Sequence, residues 1–66
     1  MNKTQLKELL ANSIIDALGG TYKTSIKCDV SMPVVSRWRR NGIPDGYLLY
    51  LSHKYPKVFK KLAELA

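Results

Sequence analysis

The chain has 66 residues, 45% of them hydrophobic and 24% charged, which predicts one small globular domain covering residues 1–66. Its single cysteine, Cys28, excludes a disulfide within the chain, and one cysteine with one histidine, His53, cannot form a zinc site. The formal net charge of +6 favours an anionic partner, either a phosphate backbone or a membrane surface.

The positive charge is concentrated in the middle of the chain. Residues 1–20 carry two basic and two acidic side chains and sum to zero, whereas residues 21–40 carry five basic and one acidic and sum to +4. Residues 41–66 sum to +2, and all three arginines lie between Arg37 and Arg40. This clustering favours a binding surface over a general effect on solubility.

Several classes of function find little support in the sequence. Five carboxylates without acid–base spacing, one histidine and no glycine-rich phosphate loop argue against catalysis. We therefore expect no enzymatic activity, no cofactor and no metal ion. Every apolar run is shorter than the roughly 18 residues of a membrane span, and the first residues lack the apolar core of a signal peptide. We therefore expect a cytoplasmic protein with no membrane partner.

The first of five predicted helices covers about Lys3–Leu18. Asn2 is its predicted N-cap, with Gln5 completing a capping box. Gly19 and Gly20 end the helix, because glycine adopts the left-handed conformation without strain. The apolar residues of this helix recur every three or four positions, which predicts one apolar stripe composed of Leu6, Leu9, Leu10, Ile14, Ala17 and Leu18.

Two short helices follow in the middle of the chain. The second is predicted over about Tyr22–Cys28, with Thr21 as its N-cap. The third covers about 31–41, with Ser31 as N-cap and Pro33 in the first turn, where a missing N–H costs little. Gly42 supplies its stop signal.

Two further helices complete an all-α fold. The fourth is predicted over about Asp45–Lys54 and ends before Pro56. The fifth covers about Lys57–Glu64, and its spacing predicts an apolar face composed of Val58, Phe59, Leu62 and Leu65.

The second and third helices satisfy the demands of a helix-turn-helix, in which two short helices cross steeply through a tight turn. Ser25 is small enough for the close crossing, and Asp29 tolerates the left-handed backbone of the turn. Cys28 and Val30 are apolar residues on either side of that turn. On the third helix, the inward-facing residues are predicted to be Val35 and Trp38.

The outward side of the third helix is short, polar and cationic, which suits the major groove of DNA. Arg37 matches the two acceptors of guanine, Met32 can touch a thymine methyl, and Ser36 can contact a base or a phosphate. Near the helix end, Arg39 and Arg40 suit phosphates. Thr21 and Lys23 add phosphate contacts at the start of the second helix. The candidate DNA-binding residues are Thr21, Lys23, Met32, Pro33, Ser36, Arg37, Arg39 and Arg40.

Three segments in the middle of the chain form a recognisable pattern, namely Asp29-Val30-Ser31, Val34-Val35-Ser36-Arg37-Trp38 and Ile43-Pro44. With these segments, residues 21–44 resemble the helix-turn-helix of phage Cro-type repressors and of the wider lambda-repressor-like superfamily, including related prophage antitoxin-like proteins. Two features depart from that pattern: Asp29 stands where a glycine is usual, and Thr24-Ser25 is more polar than the usual pair.

The resemblance implies a transcriptional repressor or a regulator of the lysis–lysogeny switch in a bacterial host cell. Such proteins bind double-stranded operators with approximate two-fold symmetry, usually as homodimers. We expect the dimer contact in the fourth helix or the C-terminal segment, and we expect it to be weak without DNA.

Two alternatives remain from the residues alone. One is a protein-interaction module, such as a small adaptor or antitoxin, that presents Tyr47, Leu48, Tyr50 and Phe59 to a partner. An interfacial membrane binder is a third reading, which the shortness of the cationic C-terminal helix disfavours.

Overall fold

Five α-helices follow one another in a computed structural model that describes residues 2–65 and the side chains of residues 2–64. No strand occurs within this range, so the predicted all-α fold with a central helix-turn-helix is confirmed. The side chain of Leu65, predicted on the apolar face of the fifth helix, lies outside the described residues. The helices are α1 (Lys3–Ala17), α2 (Thr21–Cys28), α3 (Met32–Asn41), α4 (Asp45–Lys54) and α5 (Pro56–Leu65).

The ends of α1 follow the predicted chemistry. At the start, the Gln5 amide donates to Asn2 Oδ1 over 2.8 Å, and the Asn2 amide donates to Gln5 Oε1 over 3.4 Å. At the other end, Gly19 and Gly20 adopt φ values of 109° and 103°. The Gly20 amide donates to the Ile15 carbonyl over 2.9 Å, which closes the last turn. The capping box and the glycine stop are thereby confirmed.

The buried face of α1 differs from the predicted stripe. Leu6, Leu9 and Leu10 belong to the predicted apolar stripe but are between 44% and 60% exposed, and Ala17 is also exposed. Apolar residues lie on both sides of this helix, and spacing alone could not tell which side meets α3. The residues that α1 and its C-cap bury are Ala11, Ile14, Ile15 and Leu18.

The start of α2 lies one residue earlier than predicted. Gly20, with φ 103° and ψ −179°, is the N-cap, and Thr21 is the first residue of the helix. The assignment of Thr21 as N-cap is therefore wrong. Because Gly20 tolerates a positive φ, the chain enters the helix directly after it, and the Thr21 hydroxyl is left to accept a hydrogen bond from Arg39 Nε over 2.9 Å.

The turn between α2 and α3 has the predicted left-handed residue. Asp29 adopts φ 55° and ψ 47°, and the amide of Val30 donates to the Ser25 carbonyl over 3.0 Å. Ser25 is buried, and its hydroxyl is satisfied by the Tyr22 carbonyl at 2.6 Å. The small side chain at position 25 therefore lies inside the helix-turn-helix, as the close crossing requires. Ser31 occupies the N-cap of α3, although its side chain makes no capping hydrogen bond.

The core forms between α1, α2, α3 and α4. Val35 is fully buried and Trp38 is 4% exposed, which confirms their inward placement. The Trp38 ring lies 4.8 Å from the Tyr47 ring, measured between centroids, so α4 covers the inner side of α3. The half-buried apolar side chains of α5 that pack against this core are Val58, Phe59 and Leu62.

The helices within residues 2–65 include none with the combined length and apolar character that a membrane span requires.

The left-handed conformation at position 29 is expected to control the stability of the turn. A Cβ in this conformation costs about 1–2 kcal/mol relative to glycine. Asp29→Gly should therefore be about 1 kcal/mol more stable than Asp29→Ala, as measured by urea denaturation followed by circular dichroism. Equal stability of the two variants would contradict the left-handed assignment.

Two leucines of α4 provide a matched test of the core. Leu51 is fully buried, whereas Leu49 is 62% exposed. Leu51→Ala should lower the free energy of unfolding by about 2–5 kcal/mol, and Leu49→Ala should change it by less than about 0.5 kcal/mol. Thermal denaturation of both variants checks this, and similar losses would show that α4 is oriented differently.

Candidate nucleic-acid interface

The outward side of α3 presents four exposed residues, one above another along the helix. We call this surface the arginine face; it consists of Pro33, Ser36, Arg37 and Arg40. Met32 lies beside it at the helix start and is 46% exposed. Neither α2 nor α3 contains an acidic residue, so no carboxylate of these helices offsets the positive charge. The sequence placed these residues on one side, and their common exposure agrees with that placement.

The guanidinium groups of Arg37 and Arg40 make no ion pair with any described residue. Within residues 2–65, the one ion pair joins Arg39 to Asp16. A guanidinium carries five N–H donors and has no acceptor. The arginine face therefore presents donors that can form charge-assisted hydrogen bonds with an external anion or base edge.

Arg39 belongs to a different environment, although the sequence grouped it with Arg40. Its Nη1 donates to Asn12 Oδ1 over 2.6 Å, its Nη2 donates to Asp16 Oδ1 over 2.8 Å, and its Nε donates to Thr21 Oγ1. This side chain points to α1 and α2 and is 26% exposed. The Arg39 side chain therefore attaches α3 to α1 and α2.

Asn12 is the partner that the sequence analysis did not single out. Its amide nitrogen donates to the Arg39 carbonyl over 3.0 Å, while its amide oxygen accepts from the Arg39 guanidinium. Asn12 thus binds both the backbone and the side chain of one residue of α3. The sequence does show an asparagine in the middle of a long helix, a position for which asparagine has a poor propensity. It could not show which residue Asn12 contacts, because Arg39 lies 27 residues away in the chain.

The start of α2 lies next to this attachment. The Thr21 hydroxyl accepts from Arg39 and keeps its own proton as a donor. No side chain caps the N-terminus of α2, so its first amides are open to an acceptor. Lys23 is exposed, and its aliphatic part covers Gly19, where an added Cβ would lie only 2.5 Å from Lys23 Cδ. Thr21 and Lys23 thus both lie where an anion could approach α2.

Within residues 2–64, the remaining polar groups form no second site of comparable geometry. Burial raises the pKa of the Cys28 thiol, which keeps it protonated, in agreement with its predicted role as a small core residue. The Lys54 ammonium donates to the Tyr50 hydroxyl over 3.1 Å, and this hydrogen bond raises the pKa of Lys54. His53 is exposed on α4. Among the described residues, no three metal-ligating side chains come together.

No protein-family model, curated protein or solved structure matches this chain. We therefore infer the function of the protein from the arginine face, from the start of α2 and from the Arg39 contacts that join these two surfaces.

Replacing Arg39 or its neighbour Arg40 with alanine should have different effects on the free energy of unfolding. Arg39→Ala removes three side-chain hydrogen bonds and should lower the free energy of unfolding by about 1–3 kcal/mol. Arg40→Ala is the matched control and should lower it by less than about 0.5 kcal/mol, since Arg40 is exposed. Urea denaturation measures both. If the two variants are equally stable, the Arg39 attachment does not form in solution.

Proposed function

We propose that this protein is a sequence-specific transcriptional regulator of the Cro-type repressor class, which binds double-stranded DNA by placing α3 in the major groove. The observation that carries the proposal is the arginine face itself. It lies opposite Val35 and Trp38, which are buried, so the helix is fixed with its cationic side outward. An α-helix fits the major groove, where donor and acceptor patterns distinguish all base pairs.

Position along α3 separates the roles of the two exposed arginines. The N-terminal part of a recognition helix lies nearest the base edges, and its C-terminal part approaches the backbone. Arg37 is therefore proposed to pair with the O6 and N7 of a guanine, with Met32 and Ser36 making neighbouring contacts. Arg40 lies one turn further on and is proposed to bind a phosphate.

The start of α2 supports the same orientation. Its open amides and the free proton of the Thr21 hydroxyl are suited to one phosphate, and Lys23 adds a positive charge beside them. The side chain of Arg39, a residue of α3, donates a hydrogen bond to the Thr21 hydroxyl at the start of α2. Phosphate contacts at α2 and base contacts at α3 would therefore keep a constant relative position.

A single copy of this helix offers few base contacts, and useful operator affinity requires two half-sites. We therefore propose a homodimer on a two-fold-related operator, with weak association in the absence of DNA. The resemblance of residues 21–44 to phage Cro-type repressors supports the same assembly and a role in the cytoplasm of a bacterial cell.

The alternative of a protein-interaction module receives less support from burial. Of the residues that the sequence suggested for a partner, Tyr47, Leu48 and Phe59 are half-buried and pack against the core. Tyr50 alone is exposed, at 40%. The predicted partner surface is therefore largely used by the fold.

Selection of random duplex DNA by the purified protein, followed by titration of the best site over a range of salt concentrations, tests the proposal. We expect enrichment of two related half-sites, with affinity that falls steeply as salt rises. Failure to enrich any sequence would contradict sequence-specific binding.

Three single-charge variants then separate base recognition from general charge. Arg37→Ala should cost about 1–3 kcal/mol on the selected site and relax specificity at one base pair. Arg40→Ala should weaken binding to all duplexes similarly. Lys60→Ala removes one exposed charge from α5 and is the control, expected to have a smaller effect. If Arg37→Ala and Lys60→Ala lose equal affinity on all DNA, the arginine face is not a recognition surface.

A further inference from the structure

An open groove with a volume of about 300 Å³ lies between α1 and the segment that joins α3 to α4. It has apolar walls from both sides and one charged group at each side. Its lining includes Lys7, Leu10, Gly42, Pro44, Asp45 and Leu48.

Two exposed leucines of α1 extend the apolar surface beside this groove. Leu6 and Leu10 are 60% and 44% exposed, and their four-residue spacing places them on the same side of the helix. Leu10 lines the groove, and Leu6 lies one turn before it on α1. We call these two side chains the leucine ridge, and we call the ridge together with the groove the leucine groove. An isologous two-fold contact uses the same surface patch on both copies, so each copy would supply both the ridge and the groove.

The charges of the leucine groove are balanced. Lys7 and Asp45 line it together, and neither forms an ion pair with a described residue. Elsewhere, the arginine face carries two cations, and α5 exposes three lysines, Lys57, Lys60 and Lys61. Two copies of a chain with net charge +6 would repel each other at those surfaces. At the leucine groove, a cation of each copy can instead meet an anion of the other.

We propose that the leucine groove is the contact between two copies of this chain. The leucine ridge of each copy lies in the groove of the other, and Lys7 faces Asp45 of the partner subunit. This inference rests on the proposed function, which requires a dimer, and it places the dimer contact on α1 and the α3–α4 segment. The C-terminal helix, which the sequence suggested for this contact, presents its lysines outward.

The position of the groove is compatible with binding of two half-sites. Its residues 41–45 run from the last residue of α3 to the first residue of α4, so the contact lies beside the end of the recognition helix and does not include the arginine face. A standard interface buries about 800 Å² per partner, which is about a sixth of the 4776 Å² of accessible surface of this chain. Two leucines and one groove form a smaller contact, which explains why the dimer would be weak until DNA holds both copies.

A charge exchange tests the contact. Lys7→Glu and Asp45→Lys each place like charges opposite one another, whereas the double variant restores opposite charges and keeps the net charge of the parent chain. The parent should self-associate in sedimentation velocity at millimolar concentration and low salt. Each single variant should weaken this association at least about tenfold, because like charges then lie opposite one another, and the double variant should restore it to within about threefold of the parent.

Lys60→Glu is the matched control for Lys7→Glu, because it changes the net charge equally on α5. General repulsion between positive chains predicts that both variants associate more strongly than the parent, whereas the proposed contact predicts weakening for Lys7→Glu alone. Circular dichroism of every variant checks that the fold is retained. Replacing Leu6 with serine provides a second test that leaves all charges unchanged, and it should also weaken association.

The outcomes separate this contact from the proposed function. A parent chain that stays monomeric at millimolar concentration and binds two half-sites without cooperativity overturns the contact, even if single half-sites are bound specifically. If the charge-exchange variants associate as strongly as the parent, the dimer contact lies elsewhere on the chain, and the proposed contact is also overturned. If the charge exchange and Leu6→Ser behave as expected but no DNA sequence is selected, the contact stands and the proposed function fails.

Discussion

The burial of Val35 and Trp38 determines which side of α3 meets solvent. Both side chains lie on the inner side of this helix, and the Trp38 ring is covered by Tyr47 of α4. A ten-residue helix held at two points one turn apart cannot rotate about its axis without exposing an indole ring. The exposure of Arg37 and Arg40 is therefore a consequence of packing on the opposite side, and the function that we propose depends on it.

Arg39 adds a polar attachment to this apolar one. It joins α3 to Asn12 and Asp16 of α1 and to Thr21 of α2, so one guanidinium contacts three helices. The attachment fixes the start of α2 relative to α3. A helix-turn-helix protein needs that constancy, because phosphate contacts at one helix set the register of base contacts at the other. Arg37, Arg39 and Arg40 lie within four residues of one another in the sequence, and the packing of α3 against α1 separates Arg39 from the other two.

The exposed leucines of α1 form apolar surface that this small domain does not bury in its core. A helix that is apolar on two sides can bury only one against α3, and the other stays in contact with water. Scattered exposed leucines are ordinary on a monomer. Leu10 is different because it lines a groove that also holds one cation and one anion, and Leu6 lies one turn before it on the same side of α1. That combination of shape and charge is the basis for assigning the surface to a second copy of the chain.

The sequence by itself determined the local features, which depend on neighbouring residues. The capping box at Asn2, the left-handed turn at Asp29 and the inward pair Val35 and Trp38 all follow from short-range spacing and backbone preference. The tertiary structure alone decided which apolar side of α1 is buried and that Arg39 is used by the fold. Those choices depend on residues far apart in the chain, such as Asn12 and Arg39, and periodicity carries no information about which helix will lie opposite.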